Sequence, residues 1–284
     1  MRNRFIYFVI FIFFIAFISC DKIEPPYKKK NTEQNNDTLK QRKILLEDFT
    51  GHKCVNCPGA ANTIMELKQQ FGERLVVISL HAGYFAEPDA SGNYIYDFRT
   101  TTGTDIYNFF GVSAFGVPSG MINRKGYNTD YIFSYADWGT KINEIINISP
   151  DAHIEITNNY SNTNRNLNVN VKTEFLKSFT GTYKLCVYLT EDSIIKYQKN
   201  NSPALGIVPD IADYVHQHVL RCAVNSTWGD TLISGNTPTG FTIFKNYSIV
   251  LNNEWKEKNC TVVVFVYNTF NYEIVQAEEE KIIL

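Results

Sequence analysis

Gly51-His52-Lys53-Cys54-Val55-Asn56-Cys57-Pro58 places two thiols three positions apart, between a strand-like run (Ile44, Leu45, Leu46, Phe49) and a helix-like run that reaches Phe71. Two cysteines so spaced at a strand-to-helix junction have the layout of a redox dithiol. Ala60, Ile64, Leu67 and Phe71 follow the i, i+4, i+7, i+11 rule, so one apolar stripe can lie on a sheet while the first helical turn carries the cysteines. A thiolate at a helix N-terminus is stabilised by unpaired N–H groups and by the helix dipole, which lowers its pKa and raises the nucleophilic fraction near neutral pH. Cys54, taken as the start of the helix, is the expected accessible attacker. Cys57, one turn in and close to the sheet, is the expected shielded resolver.

Beyond the helix, Leu75 to His81 is a nearly continuous apolar run, as in a strand covered on both faces. Strand, helix, strand in this order implies a parallel pair with a right-handed crossover. A polar and aromatic stretch, Ala82 to Thr104, leads to a short helical segment at Ile106 to Phe110. Val112 to Asn123 then reads as a strand interrupted by Pro118. Asp130 to Ile146 reads as a closing helix, with Ile132, Tyr135, Ile142 and Ile145 buried. The CxxC helix between two strands, followed by the Val117-Pro118 step into a further strand, resembles the thioredoxin fold over residues 43–149. That resemblance implies that Pro118 is cis and packs beside the dithiol, exposing backbone with which a substrate chain pairs. It also implies that Asp48, six residues before Cys54, is a buried carboxylate assisting deprotonation of Cys57. Lys53 in place of an aromatic, Pro58 after the dithiol rather than inside it, and the long loop before Pro118 depart from the family pattern.

From Asp151 onward the pattern alternates. Ala152 to Thr157, Leu167 to Phe175, Thr182 to Thr190, Val219 to Asn225, Phe241 to Leu251, Thr261 to Asn268 and Ile274 to Ile283 read as strands of an all-β, immunoglobulin-like sandwich over 150–284. Leu167, Val169 and Val171 alternate with asparagines, as a strand with one buried face should. Asp192 to Gln217 is too long for a hairpin turn and is expected to be a structured insert, where binding often sits.

The N-terminus sets the compartment. Arg2 and Arg4 precede an uncharged apolar run, Phe5 to Ile18, too short to span a bilayer comfortably, and Ser19-Cys20 follows. This resembles the lipobox of bacterial lipoproteins, which implies a signal peptide over 1–19 and lipidation of Cys20. Residues 20–42 are polar, contain Pro25-Pro26, and read as an anchor followed by a disordered tether. Lipobox, tether, Phe49-Thr50-Gly51 leading to Cys54-x-x-Cys57-Pro58, and a β-rich half with Tyr214-Val215-His216 and Trp228-Gly229 together resemble the Omp-type outer-membrane lipoproteins of Bacteroidota, in the 28-kilodalton class. The resemblance implies an outer-membrane address with lipid attachment, on the periplasmic face or the cell surface. It does not define a reaction.

A formal charge of −2 without a basic stripe excludes nucleic acid as a partner on electrostatic grounds, and no motif calls for a cofactor. Glu47 and Asp48 are adjacent and so lie on opposite strand faces, which disfavours a hydrolase carboxylate pair. Three readings of Cys54 and Cys57 stay open. The first is thiol–disulfide exchange on envelope proteins. The second is a structural disulfide in a non-enzymatic surface lipoprotein that binds protein or glycan. The third is a copper-binding or delivery site in which His52 or His81 joins the cysteines. His216 and His218, two apart, would share a face if extended. Cys186, Cys222 and Cys260 are expected to be buried small hydrophobes, with one pairing among them left open.

Overall fold

The computed structural model describes residues 40–127 and 129–283. The expected signal peptide, Cys20 and the expected tether as far as residue 39 lie outside the described residues. Residues 40–42, read as the end of the tether, are packed. The Arg42 guanidinium is buried, donates to the carbonyls of Ile148, Ser149 and Val275, and pairs with Asp151 at 3.2 Å.

The structure is mostly β-sheet. Strand β1 (Ile44–Thr50) leads through the CxxC loop to helix α1 (Cys57–Phe71), then β2 (Leu75–His81), which lies parallel to β1 in the register Ile44 with Leu75 to Thr50 with His81. Every residue of β2 is buried, as its unbroken apolar run requires. Helix α2 (Thr101–Phe109) is capped by Thr100, whose hydroxyl accepts from the Gly103 N–H at 2.9 Å. Strand β3 (Ser119–Ile122) runs antiparallel to β1. The expected helix over 130–146 is confined to α3 (Trp138–Ile145). Phe133 explains the difference: its N–H and C=O pair with Gly120 of the edge strand β3, both at 2.9 Å, which holds the preceding segment extended.

The remaining strands are β4 (Ala152–Ser161), β5 (Asn166–Phe175), β6 (Phe179–Thr180), β7 (Tyr183–Glu191), β8 (Ile194–Lys199), β9 (Asp210–His216), β10 (Val219–Ala223), β11 (Asp230–Ile233), β12 (Asn236–Thr237), β13 (Thr242–Val250), β14 (Cys260–Asn268) and β15 (Ile274–Lys281). One eight-stranded sheet takes the order β15-β14-β7-β10-β2-β1-β3, with β11 also on β7. Thus β10 pairs in parallel with β2, where the Ser79 N–H donates to the His218 carbonyl at 2.8 Å, and strands from both halves of the chain share one sheet. Strands β13-β5-β4 form a separate sheet whose Leu167, Val169 and Val171 pack on Val187, Leu189, Val262 and Val264 of β7 and β14. At the β1–β2 end, Ile44, Leu46 and Val77 pack on Ala60, Ile64 and Leu67 of α1 and on Trp138 and Ile142 of α3. On the opposite face, Leu45, Phe49, Val76 and Ile78 pack on Ile106 and Phe110 with Tyr188 and Phe265. Alternation along β1 therefore sends even-numbered side chains toward α1 and odd-numbered ones to the other core. Glu47 follows this rule: it takes both nitrogens of a bidentate pair with the fully buried Arg124, at 2.7 and 2.6 Å.

Candidate functional site around Cys54 and Cys57

The loop between β1 and α1 is built of backbone turns. The Cys54 N–H donates to the Gly51 carbonyl at 3.0 Å, and the Gly59 N–H to the Asn56 carbonyl at 3.0 Å. Gly51 runs against the chain at Phe85, where an added Cβ would lie 2.5 Å from the Phe85 carbonyl carbon and oxygen, so only glycine fits. Lys53 closes the contact by donating its N–H to the Phe85 carbonyl at 3.0 Å. Cys54 and Cys57 are disulfide-bonded with their Cα atoms 5.4 Å apart. The helix begins at Cys57 rather than at Cys54, with Pro58 in its first turn, where a missing N–H leaves no helical bond unmade. Both cysteines are 3% exposed, so the expected contrast between an accessible Cys54 and a shielded Cys57 is absent from this oxidised form.

The Val117–Pro118 peptide is cis, and the Cys54 Sγ lies 3.8 Å from the Val117 carbonyl oxygen. Asp48 sits on the even face of β1, the face packed on α1, whose first residue is Cys57. Ser79, its register partner on β2, donates to Asp48 Oδ2 at 3.2 Å, while among the described residues no group bonds Oδ1. Burial pushes the Asp48 carboxyl up to about 7, the Ser79 hydrogen bond opposing that shift only in part. An open groove of about 480 Å³ between α1 and β9, lined by Pro58, Ile64, Met65, Leu205, Tyr214 and Ser79, reaches this pair.

The β8–β9 hairpin lies over the loop. Its Lys199 N–H donates to the His52 carbonyl at 2.8 Å, and its Gln198 Nε2 to the Cys54 carbonyl at 2.9 Å. No local pattern in the sequence marks Gln198, which is more than 140 residues from the loop, as part of the site; nor does one mark Ser79.

His52 and His81 do not converge with the cysteines as copper ligands would. Both rings pack on Phe98, with centroids 5.6 Å from His52 and 4.5 Å from His81, and Tyr94 stacks on His52 at 5.5 Å. Among the described residues no group of three or more His, Cys, Asp or Glu side chains is placed to hold a metal ion. His216 joins the same cluster, 4.4 Å from Phe98, whereas His218 turns away at φ 56° to lie 3.4 Å from Asp192, so the two do not share a face. Burial lowers His52 to about 4 and His216 to about 3, and holds His81 well below the usual imidazole range. Cys186, Cys222 and Cys260 are free thiols pushed up to about 12 by burial, which makes them inert as nucleophiles. Tyr94 is buried in this cluster, while Tyr84 is 73% exposed next to the loop.

Residues 104–283 match the pattern of the family described as outer membrane protein Omp28, well over half of the chain. The chain belongs to the Omp28 family. Its location is therefore the outer membrane. The matched span begins after the dithiol and includes Pro118, Gln198 and the hairpin. Among solved structures, this Omp28-family chain is similar to HBP35 of Porphyromonas gingivalis, at 17% identity and a TM-score of 0.57, covering 85% of this chain and 75% of that one. It is also similar to a protein of Agrobacterium tumefaciens, at 12% identity and a TM-score of 0.51, covering 85% and 95%. A domain of the outer membrane lipoprotein Omp28 from Porphyromonas gingivalis matches at 22% identity and a TM-score of 0.33, over 47% of this chain and 88% of that one. At these identities the first two likenesses speak to the fold alone. No curated protein matches the chain by sequence.

Proposed function

We propose that this Omp28-family protein carries out thiol–disulfide exchange with proteins of the cell envelope, through Cys54 and Cys57 in a thioredoxin-like segment (43–149) joined to an immunoglobulin-like β-sandwich segment (150–284). Cys20, outside the described residues, is its lipid anchor in this reading. The observation that carries the proposal is Asp48. A carboxyl group buried on the α1 side of the sheet, with one oxygen unpartnered and its pKa near 7, costs stability whenever it ionises. A structural disulfide has no use for it. A resolving thiol does, because its proton must be taken up as it attacks.

In the reducing direction, the Cys54 thiolate attacks one sulfur of a partner disulfide and the other partner sulfur leaves as a thiolate. Cys57 then gives its proton to Asp48 and attacks the Cys54 sulfur, releasing the second partner sulfur as a thiolate. The pair ends as a disulfide and the partner as a dithiol, two electrons having passed to it. The positive end of α1 favours the thiolate form of the reduced pair. A redox titration of the full protein in detergent tests the reading. Exchange requires a potential within about −120 to −270 mV, the span of known exchange proteins.

A second reading rests on the 3% exposure of both cysteines: a non-enzymatic lipoprotein that binds protein or glycan and keeps a structural disulfide. A potential below about −300 mV would select it.

A further inference from the structure

Gln198 is 2% exposed, and its side-chain amide donates to three carbonyls: Cys54 at 2.9 Å, Lys199 at 3.0 Å and Gly51 at 3.3 Å. Two of these belong to the dithiol loop. The register of β8 with β9 shifts between Lys196 and Gln198, and such a bulge re-aims the side chains that follow it. The same stretch adds the Lys199 N–H to the His52 carbonyl at 2.8 Å and the Asn201 N–H to the Val55 carbonyl at 3.2 Å. The Asn201 side chain also donates to Asn56 Oδ1 at 2.7 Å. Residues 198–201 thus bond to His52, Val55, Asn56 and both carbonyls held by Gln198. The hairpin's own connecting loop is tied into one body by Asn200, whose amide donates to Ser202, Gly206 and Ile207. Farther along, the hairpin is attached through Tyr94 on Asp210 and through His216 beside Phe98.

We propose that Gln198 is a positioning residue for exchange at Cys54 and Cys57: its amide fastens the hairpin onto the dithiol loop, and a partner protein's sulfur reaches the pair only when that fastening opens. The inference rests on the exchange reading above and adds a gate to it. A buried amide with two loop carbonyls as acceptors is a strong fastening, because opening leaves polar groups to be resolvated before anything is gained. A small thiol needs only a local fluctuation; a folded partner needs the hairpin moved.

The test uses the full protein in detergent, with the pair reduced and the reductant removed. Alkylation of Cys54 and Cys57 is followed by peptide mass spectrometry with two reagents, iodoacetamide and a maleimide carrying a polyethylene glycol chain. Gln198→Glu keeps the shape, removes both donors and sets a carboxylate oxygen against two carbonyls. It is expected to raise the rate with the large reagent by roughly tenfold, the worth of one or two buried hydrogen bonds, while changing the small-reagent rate by less than about threefold. Gln198→Lys restores donors and is expected to return the large-reagent rate toward that of the native protein. A large-reagent rate within about twofold of native in Gln198→Glu overturns the gate, as does an equal rise with both reagents, which would mean general loosening. Should Gln198→Glu not fold, Asn201→Ala decides, since it removes an exposed side chain bonded to Asn56 and is expected to give a smaller rise of the same kind; no rise overturns the proposal. Failure of the exchange reading appears elsewhere, as a locked potential, because alkylation requires no turnover.

Discussion

Ser79 donates its hydroxyl to Oδ2 of Asp48 across the parallel β1–β2 pair at 3.2 Å, and among the described residues this is the one side-chain hydrogen bond given to a carboxyl group that is otherwise sealed in the core. One neutral donor does not compensate the loss of water, so the carboxyl titrates near 7 instead of at the usual 3.8. The sign of the consequence follows. Between pH 3.8 and about 7 the folded protein holds a proton that the unfolded chain has released, so this group's contribution to stability falls as pH rises through that window. Above pH 7 the full cost is present, about 4 kcal/mol for the shift from 3.8 to about 7. Asp48→Asn is therefore expected to stabilise the oxidised protein at pH 8 by up to about that amount and to have little effect at pH 4. Urea unfolding at the two pH values checks it. The same variant is expected to slow resolution of a mixed disulfide at pH 7, read by quenching the reaction with acid.

The buried imidazoles act in the opposite sense. His52, His81 and His216 are held neutral around Phe98, with folded-state pKa values lowered to about 4, well below 6.5, and to about 3. Their stabilising contribution is complete above 6.5. It is lost as pH falls toward 4, because the unfolded chain takes up protons that the folded one refuses. Each such imidazole contributes a slope of about 1.4 kcal/mol per pH unit in that window, so three of them outweigh the opposing carboxyls of Asp48 and Glu278, both raised by burial. Stability is expected to fall between pH 6.5 and pH 5. His81→Gln is expected to make the fall shallower, as measured by urea midpoints across that range.

The two faces of β1 could be anticipated from its alternation, which puts Glu47 and Asp48 in different cores. The CxxC, Asp48 and the Val117-Pro118 step are likewise local signals, and the chain brings them to one end of the sheet. What the sequence withholds is tertiary. Val219 to Ala223 has the pattern of any half-buried strand, and nothing local says that it lies parallel beside β2. Asp130 to Asp137 carries apolar residues at helical spacing, yet Phe133 is taken by Gly120 at the end of β3, and an exposed strand end outcompetes weak helix propensity. Gln198 and Asn201 stand among ordinary polar residues of a long insert, where their type and spacing carry no signal until the fold lays them on Cys54 and Asn56.

The Glu47–Arg124 pair makes a prediction about the core rather than the site. Arg124 is fully buried, with its guanidinium 5.0 Å from the Phe110 ring and 5.2 Å from that of Phe265, so among the described residues its charge is balanced by Glu47 and by aromatic faces. Glu47→Gln is expected to cost about 3–5 kcal/mol, because it strands a buried cation. Combining Glu47→Leu with Arg124→Met removes both charges and is expected to recover most of that loss. A double-mutant cycle by chemical denaturation measures the coupling.

Cys20 directly follows Ser19 at the end of the short apolar run Phe5 to Ile18, and the proposed lipid anchor rests on that spacing. Cys20→Ala is expected to abolish incorporation of labelled fatty acid and to release the protein from washed membranes. Retention of both label and membrane association would sink the anchor.

Reduction of Cys54–Cys57 separates the two functional readings by magnitude. The disulfide closes a loop with a sequence separation of three, and a ring that small removes little freedom from the unfolded chain, worth about 2 kcal/mol by loop-closure entropy. The loop has other supports that survive reduction: the Gly51 carbonyl holds the Cys54 N–H, Phe85 holds Lys53, and Gln198 holds both loop carbonyls. An exchange site must keep its shape in both redox states, so reduction is expected to lower the unfolding free energy by no more than about 2 kcal/mol and to leave the denaturant slope unchanged. Urea unfolding with and without excess dithiothreitol provides the comparison. A loss well above that bound, or a changed slope reporting a loosened native state, would mean that the pair holds the fold together, and the binding lipoprotein with a structural disulfide would then be the better account.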